Sequence, residues 1–327
     1  MNSSTEVISL GELLIDFVSV DVDRSLADSS GFAKAPGGAP ANVAAGLAKL
    51  GRKAGFIGKV GRDPFGEYLT QVLRDAGIDV SGMSYDDEAR TTLSYVANRS
   101  NGVRDCMFYR NPGADMRLAP ADLDETAFAS AKAFHFGSIS LGCEPVRSAT
   151  MQALEWAKKY DLLVSYDPNL RLSLWDDEDF AKKEIRAAFR FADVVKISEE
   201  EMEFVTGFDT LEESASYILK QGPKLVVITR GGDGCYYTDG KSSGSLEGHR
   251  MNVVETTGAG DAFVAGLLTK LLERRDRTGT FELVADEETA EAIRFANAAG
   301  ALATTKVGAI PAMPSQDEVG RLLREGN

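Results

Sequence analysis

Short runs of β-branched and aliphatic residues alternate along the chain with longer stretches in which apolar positions recur every three or four residues. That alternation predicts strands joined by crossover helices and a mostly parallel sheet. Leu162-Leu163-Val164-Ser165-Tyr166 reads as a buried strand stopping at Asp167-Pro168, and Lys224 to Thr229 as another stopping at Gly231-Gly232. Between residues 63 and 77 the signals are helical: Asp63 as N-cap, Pro64 at the first helical position, Tyr68, Leu69, Val72 and Leu73 on one face, and Gly77 as the stop. In open α/β sheets ligands sit beyond the carboxyl ends of strands, so site residues are expected at such endings.

Two segments break this rhythm. Residues 91–110 hold two β-rich runs around a turn from Asn98 to Gly102, which predicts a hairpin. Residues 13–40 hold an extended stretch, LLIDFVSV, then a loop and GFAKAPGG. Neither has a helix to cover it, so both are expected to form a small β-sheet lid beside the main sheet. The expected division is an α/β catalytic and nucleotide-binding domain of residues 1–12, 41–90 and 114–327, with a β-lid of residues 13–40 and 91–113.

Composition narrows the chemistry. A chain of 327 residues buries enough surface to need no disulfide or metal staple. Thirty-six Lys and Arg against fifty Asp and Glu give a net charge of −14. That sign argues against nucleic acid and anionic membranes as partners, while leaving room for a phosphorylated ligand held by local amides. Three scattered cysteines, Cys106, Cys143 and Cys235, and two histidines, His135 and His249, lack zinc-ligand spacing and read as thiols in a reducing cytoplasm. The N-terminal stretch lacks the basic start and apolar run of a signal peptide, and no apolar window is long enough to span a membrane. The N-x-S triplets at Asn2 and Asn98 are then chance matches.

The strongest local signal is Val253-Val254-Glu255-Thr256-Thr257-Gly258-Ala259-Gly260-Asp261-Ala262-Phe263. A strand-like run meets a Gly-Ala-Gly turn and an apolar helix, an arrangement that offers free amides to an anion. Asp261 would repel a phosphate, so it reads either as an acceptor for the proton of an attacking hydroxyl or as a first-turn acid stabilising the helix dipole. The motif alone leaves both open. Gly258-x-Gly260 lacks the third glycine of a dinucleotide fingerprint, and Gly234 to Gly240 before Lys241-Ser242 is one residue too long for a P-loop. In Pro36-Gly37-Gly38-Ala39-Pro40-Ala41-Asn42, paired glycines precede a helix expected over Val43 to Leu50, with Asn42 either a ligand for sugar hydroxyls or a cap. Asp16 interrupts an apolar strand, which suits a ligand contact or an outward-facing position equally.

Taken in order, these motifs resemble the ribokinase-like (PfkB) carbohydrate kinases from Gly11 to about Pro314. PGGAPANVAAGLAKLG and ETTGAGDAFVAGLL match the two family signatures, and FYRNPGADM, FHFGSISL, SYDPNLRLSLW and KISEEE are similar to the fructokinase branch. The resemblance implies a three-layer α/β/α fold with a lid. It makes Asp261 the general base and Gly258, Ala259 and Gly260 the anion hole. It places Asp16, Gly37, Gly38, Asn42, Tyr95, Tyr109, Arg110 and Arg171 at the sugar, with Ala39 where ribokinases carry Lys. Lys196, Ser198, Glu201, Thr229, Gly231, Gly234 and Asn297 fall at the nucleotide, Glu201 reaching Mg²⁺ through water. A monovalent cation site would involve Glu255, Thr257, Ala303, Lys306 and Gly308, where Glu255 replaces the family's Asp and is expected to shift or abolish potassium binding.

The implied activity is transfer of the ATP γ-phosphate to the primary hydroxyl of fructose. The alternatives are a 2-keto-3-deoxygluconate kinase, whose acidic substrate Arg110 and Arg171 would meet, and an inactive kinase-like binding protein. Uncovered lid edges suggest a homodimer through the lid.

Overall fold

A computed structural model describes residues 1, 5–98 and 104–325. The strands are β1 (Val7–Leu10), β2 (Leu14–Ser19), β3 (Phe32–Gly37), β4 (Ala54–Gly61), β5 (Asp79–Asp86), β6 (Leu93–Asn98), β7 (Arg104–Tyr109), β8 (Ala133–Phe136), β9 (Leu163–Tyr166), β10 (Val194–Ser198), β11 (Leu225–Thr229), β12 (Cys235–Thr238) and β13 (Ser243–Leu246). The helices are α1 (Ala39–Lys49), α2 (Pro64–Asp75), α3 (Val146–Lys159), α4 (Glu178–Ala188), α5 (Glu199–Thr206), α6 (Leu211–Leu219), α7 (Ala259–Thr278), α8 (Glu287–Ala303) and α9 (Gln316–Glu325).

Among the described residues the main sheet runs β13-β12-β11-β10-β9-β8-β1-β4-β5. It is parallel except where β12 pairs antiparallel with β11 and β13. Its central strands are apolar on both faces because helices cover both. Val194, Leu225 and Val227 join α1, α7 and α8 in one core, while Val195, Val226 and Ile228 join α3, α4, α5 and α6 in the other. α2 follows its sequence signals closely: Asp63 accepts from the Phe65 and Gly66 amides, and the chain leaves the helix through Gly77 at φ 81°.

A second, four-stranded sheet has the order β3-β2-β6-β7 and is formed by the two segments that broke the strand–helix rhythm. The expected turn from Asn98 to Gly102 falls at 99–103, outside the described residues, as does Asn2.

The chain passes from β1 outward to β4 and β5, then returns to β8 on the other side of β1. The crevice beyond the ends of β1 and β8 is thus the switch point where such sheets take ligands. α1 starts there, its Pro40 lying where side chains on Gly11 or Gly137 would reach. This helix begins earlier than the sequence suggested. Gly38 is the N-cap, and Pro40 fits the first turn because its missing N–H costs no helix bond. Asn42 is therefore a helical residue, its amide bonded to Gly38 O, and not a cap. The strand-like Val253-Val254-Glu255 run is also different: it is a loop, with the Val254 and Glu255 amides both donating to Thr304 O. Two exposed valines with no adjacent strand have β-propensity and nothing to pair with.

Candidate active site

Four chain segments converge beyond the carboxyl edge of the sheet. Gly258 turns the chain at φ 81° and caps α7, which places Asp261 in the first turn. The first intrahelical bond is from Ala262 N to Gly258 O, while the Ala259 amide turns to Thr256 O at 3.3 Å. The amides of Gly260 and Asp261 thus precede the helical bond ladder, and α7 points its positive end at the space in front of them. The Ala259 amide is less available to an anion than the signature suggests.

The Asp261 carboxylate is 5% exposed. Asn42 Nδ2 in α1 donates to Oδ2 at 2.8 Å, and Asn169 Nδ2 beyond β9 donates to Oδ1 at 3.3 Å. Burial raises its pKa, against the Asn42 hydrogen bond and the charges of Lys196 and Arg171. Asn42 Oδ1 is buried without a protein partner and is left as an acceptor. Asn169 was not singled out in the sequence, nor was Asp167, although both lie in the SYDPNLR run. What marked them was a polar cluster at a strand end.

Asp167 and Lys196 form a buried ion pair of 3.1 Å at the ends of β9 and β10. The Lys196 ammonium lies against the turn: a side chain on Gly260 would start 3.0 Å from Nζ. Burial works against its charge, and Asp167, Glu201 and Asp261 together hold its pKa above the usual value.

Ser198 and Glu201 form a capping box for α5. Ser198 Oγ accepts from the Glu201 amide, while Glu201 Oε2 accepts from Ser198 N at 2.9 Å and Ser198 Oγ at 2.8 Å. Glu201 Oε1 accepts from the Leu170 amide. Thr229 ends β11 opposite Cys235 of β12, whose Sγ receives Asn297 Nδ2 at 3.6 Å. Gly231 and Gly234 shape the turn between these strands at φ 54° and 91°. On the next turn of α8, a side chain on Gly300 would meet Ala259 O at 3.0 Å. These residues form a continuous track from α7 to β12.

On the lid, Asp16 and Ser94 face each other across β2 and β6 and are hydrogen-bonded. A side chain on Gly37 would displace the Asp16 carboxylate, and Gly38 sits at φ 115° against Glu12 O, a position that does not accept another residue. The pleat puts Tyr95 on the other face, stacked on Phe17 at 5.1 Å and edge-on to Tyr109 at 5.5 Å. Asp16 and these two tyrosines therefore lie on opposite faces of the four-stranded sheet. Arg110 is not a free cation either. It is buried and paired with Asp115 at 2.7 Å, whose other oxygen takes Thr92 Oγ1 at 2.5 Å. Arg171 is exposed, with Nη1 on Leu170 O at 2.9 Å.

The profile of the pfkB family carbohydrate kinases matches residues 4–316. The chain belongs to that family. Fructokinase-2 of Solanum habrochaites is 47% identical over 327 residues, 99% of this chain and 98% of that protein. A fructokinase of Solanum tuberosum is 46% identical, covering 99% and 97%. The structure of a Xylella fastidiosa fructokinase with bound ATP superposes with a TM-score of 0.90 at 30% identity, covering 99% of both chains. A Vibrio cholerae O395 fructokinase double mutant, bound to fructose, ADP and potassium ion, gives 0.85 at 33% identity over 99% of both chains. As a pfkB kinase, the chain is a phosphotransferase with an alcohol acceptor.

Two ions bear on a kinase of this family. Among the described residues no group of three or more His, Cys, Asp or Glu forms a metal cage. Magnesium commonly keeps its waters and binds through substrate phosphates and one or two carboxylates, so the Asp167 and Glu201 region fits it. Glu201, with both oxygens on donors, suits contact through water. The residues expected at a potassium site fit less well. Glu255 Oε1 takes Thr257 Oγ1 at 2.6 Å and Oε2 takes Gly308 N at 2.8 Å, so the carboxylate closes the loop itself. Lys306 pairs with Glu318 at 2.9 Å, and the Ala303 side chain is an apolar core methyl.

Proposed function

We propose that the chain is an ATP-dependent fructokinase that transfers the γ-phosphate to the primary C6 hydroxyl of D-fructose, with Asp261 as general base. The observation that carries this reading is the Asp261 carboxylate, held by donors from α1 and the β9 loop in front of a helix N-terminus. Burial raises its proton affinity, as a base for an alcohol requires, while the Asn42 hydrogen bond and the charges of Lys196 and Arg171 act in the opposite direction. The sugar oxygen loses its proton to Asp261 as it attacks the γ-phosphorus in line. The Gly260 and Asp261 amides and the Lys196 ammonium face the charge on the equatorial oxygens. Magnesium, when bound with ATP, neutralises phosphate charge. Asn42 Oδ1 accepts a sugar hydroxyl, Asp16 binds a second from the lid, and Thr229, Gly231, Gly234 and Asn297 line the nucleotide.

The ion pair of Arg110 with Asp115 argues for a neutral sugar over 2-keto-3-deoxygluconate, since it occupies one of the two arginines expected to meet that acid. The unit of residues 13–40 and 91–113 acts as a lid that excludes water. Its exposed Met107 and Tyr109 side chains share a face suited to a second copy of the chain. The absence of a disulfide among the described cysteines supports a reducing, cytoplasmic setting. The test of the base is Asp261→Asn, which should fold normally and lose about 10³-fold or more in fructose-dependent ADP release. Near-wild-type ADP release would contradict it.

A further inference from the structure

Asp167 bonds directly to Lys196 and reaches the proposed base Asp261 only through Asn169. β9 and β10 run parallel with Val195 beside Tyr166, so the next residues lie side by side, Asp167 just past the end of β9 and Lys196 within β10. Asp167 Oδ2 accepts from Lys196 Nζ at 3.1 Å, with both side chains buried. Its Oδ1 accepts from the Asn169 backbone amide at 3.1 Å, across Pro168. That bond fixes Asn169 at φ 44°, a left-handed conformation Asn adopts more readily than most residues. In that conformation Asn169 Nδ2 meets Asp261 Oδ1.

We propose that Asp167 is a positioning residue that couples the two halves of the reaction: through Asn169 it aims the base, and through Lys196 it holds the cation at the phosphoryl site. This rests on the reading of Asp261 as base. The surroundings agree with it. Glu201 and Asp261 add negative charge around Asp167, and Lys196 offsets it. Beneath the pair, His135 sets Nδ1 against Ser165 Oγ at 3.1 Å and is kept neutral by burial and by Lys196, its pKa falling to about 3. Lys196 thus keeps Asp167 as its ion-pair partner, and Arg171 is the other cation acting on Asp261.

Asp167→Asn keeps the acceptor for the Asn169 amide and removes the charge. Uncompensated, the Lys196 ammonium then favours ionised Asp261, so the acid limb of kcat/KM moves to lower pH and the base weakens. Lys196→Met moves the same limb to higher pH. Asn169→Gly retains the left-handed backbone, loses one donor to Asp261 and also moves the limb to higher pH. In each variant kcat falls by about tenfold or more, while KM for fructose changes by less than about threefold. Thermal melts establish that each variant is folded, and Asn169→Gly carries the test if Asp167→Asn is not. An unmoved acid limb in Asp167→Asn and Asn169→Gly, beside an inactive Asp261→Asn, overturns the positioning role and leaves the base standing. An active Asp261→Asn overturns the base itself.

Discussion

Asp261 and Glu255 show how far one side chain can be read from its neighbours in sequence. Asp261 was legible as a candidate because an acid after Gly-Ala-Gly is out of place in a simple anion site. The proposal of Asp261 as base draws on Asn42 and Asn169, which are 219 and 92 residues away. Glu255 was legible as a departure, and its contacts give the departure a physical form. Its longer side chain reaches both Thr257 and Gly308, supplying a negative charge and two bonds within the loop. On this account the loop holds without a monovalent cation. Replacing potassium chloride by choline chloride at constant ionic strength should change kcat by less than about twofold. A drop of about tenfold would show that a cation is still required.

The strands and the helix after Asp63-Pro64 were readable because buried parallel strands are continuously apolar and because capping signals are local. The start of α1 was not, since Pro40 stops a helix interior but suits a first turn. Nor was the junction between α1 and the lid, where charges distant in sequence are buried together. Glu12 accepts from the Ala39 amide at 2.9 Å, beside Arg110 and Asp115. Burial pushes its carboxyl up from 4.5 to about 7, against two backbone hydrogen bonds. A carboxyl protonated more readily when folded contributes stability below pH 4.5 that is lost as pH rises through 7. Glu12→Gln keeps the acceptor and abolishes this loss. Its stability relative to wild type should therefore rise between pH 5 and pH 8, by up to about 3 kcal/mol in paired denaturant melts. A constant difference across that range would show that Glu12 is ionised throughout.

At the scale of the molecule, a net charge of −14 is compatible with handling ATP because the proposed site offers the anion helix amides and one buried lysine rather than the average surface. The separate four-stranded sheet was visible from two strand-rich segments lacking helices, but the pairing of β2 with β6 that joins them was not, being parallel and non-local. The same sheet splits Asp16 from Tyr95 and Tyr109, leaving Tyr95 half-buried and Tyr109 exposed on the opposite face. A dimer through the lid predicts a mass of twice 35.1 kDa by sedimentation equilibrium. A monomer at micromolar concentration would contradict that. The account as a whole depends on which alcohol accepts the phosphate. The most direct measurement is kcat/KM for fructose, 2-keto-3-deoxygluconate and ribose with ATP on the same enzyme preparation, with the product identified by phosphorus NMR. Fructose preferred by about 100-fold or more, giving the 6-phosphate, is the predicted result; preference for 2-keto-3-deoxygluconate or ribose would contradict it.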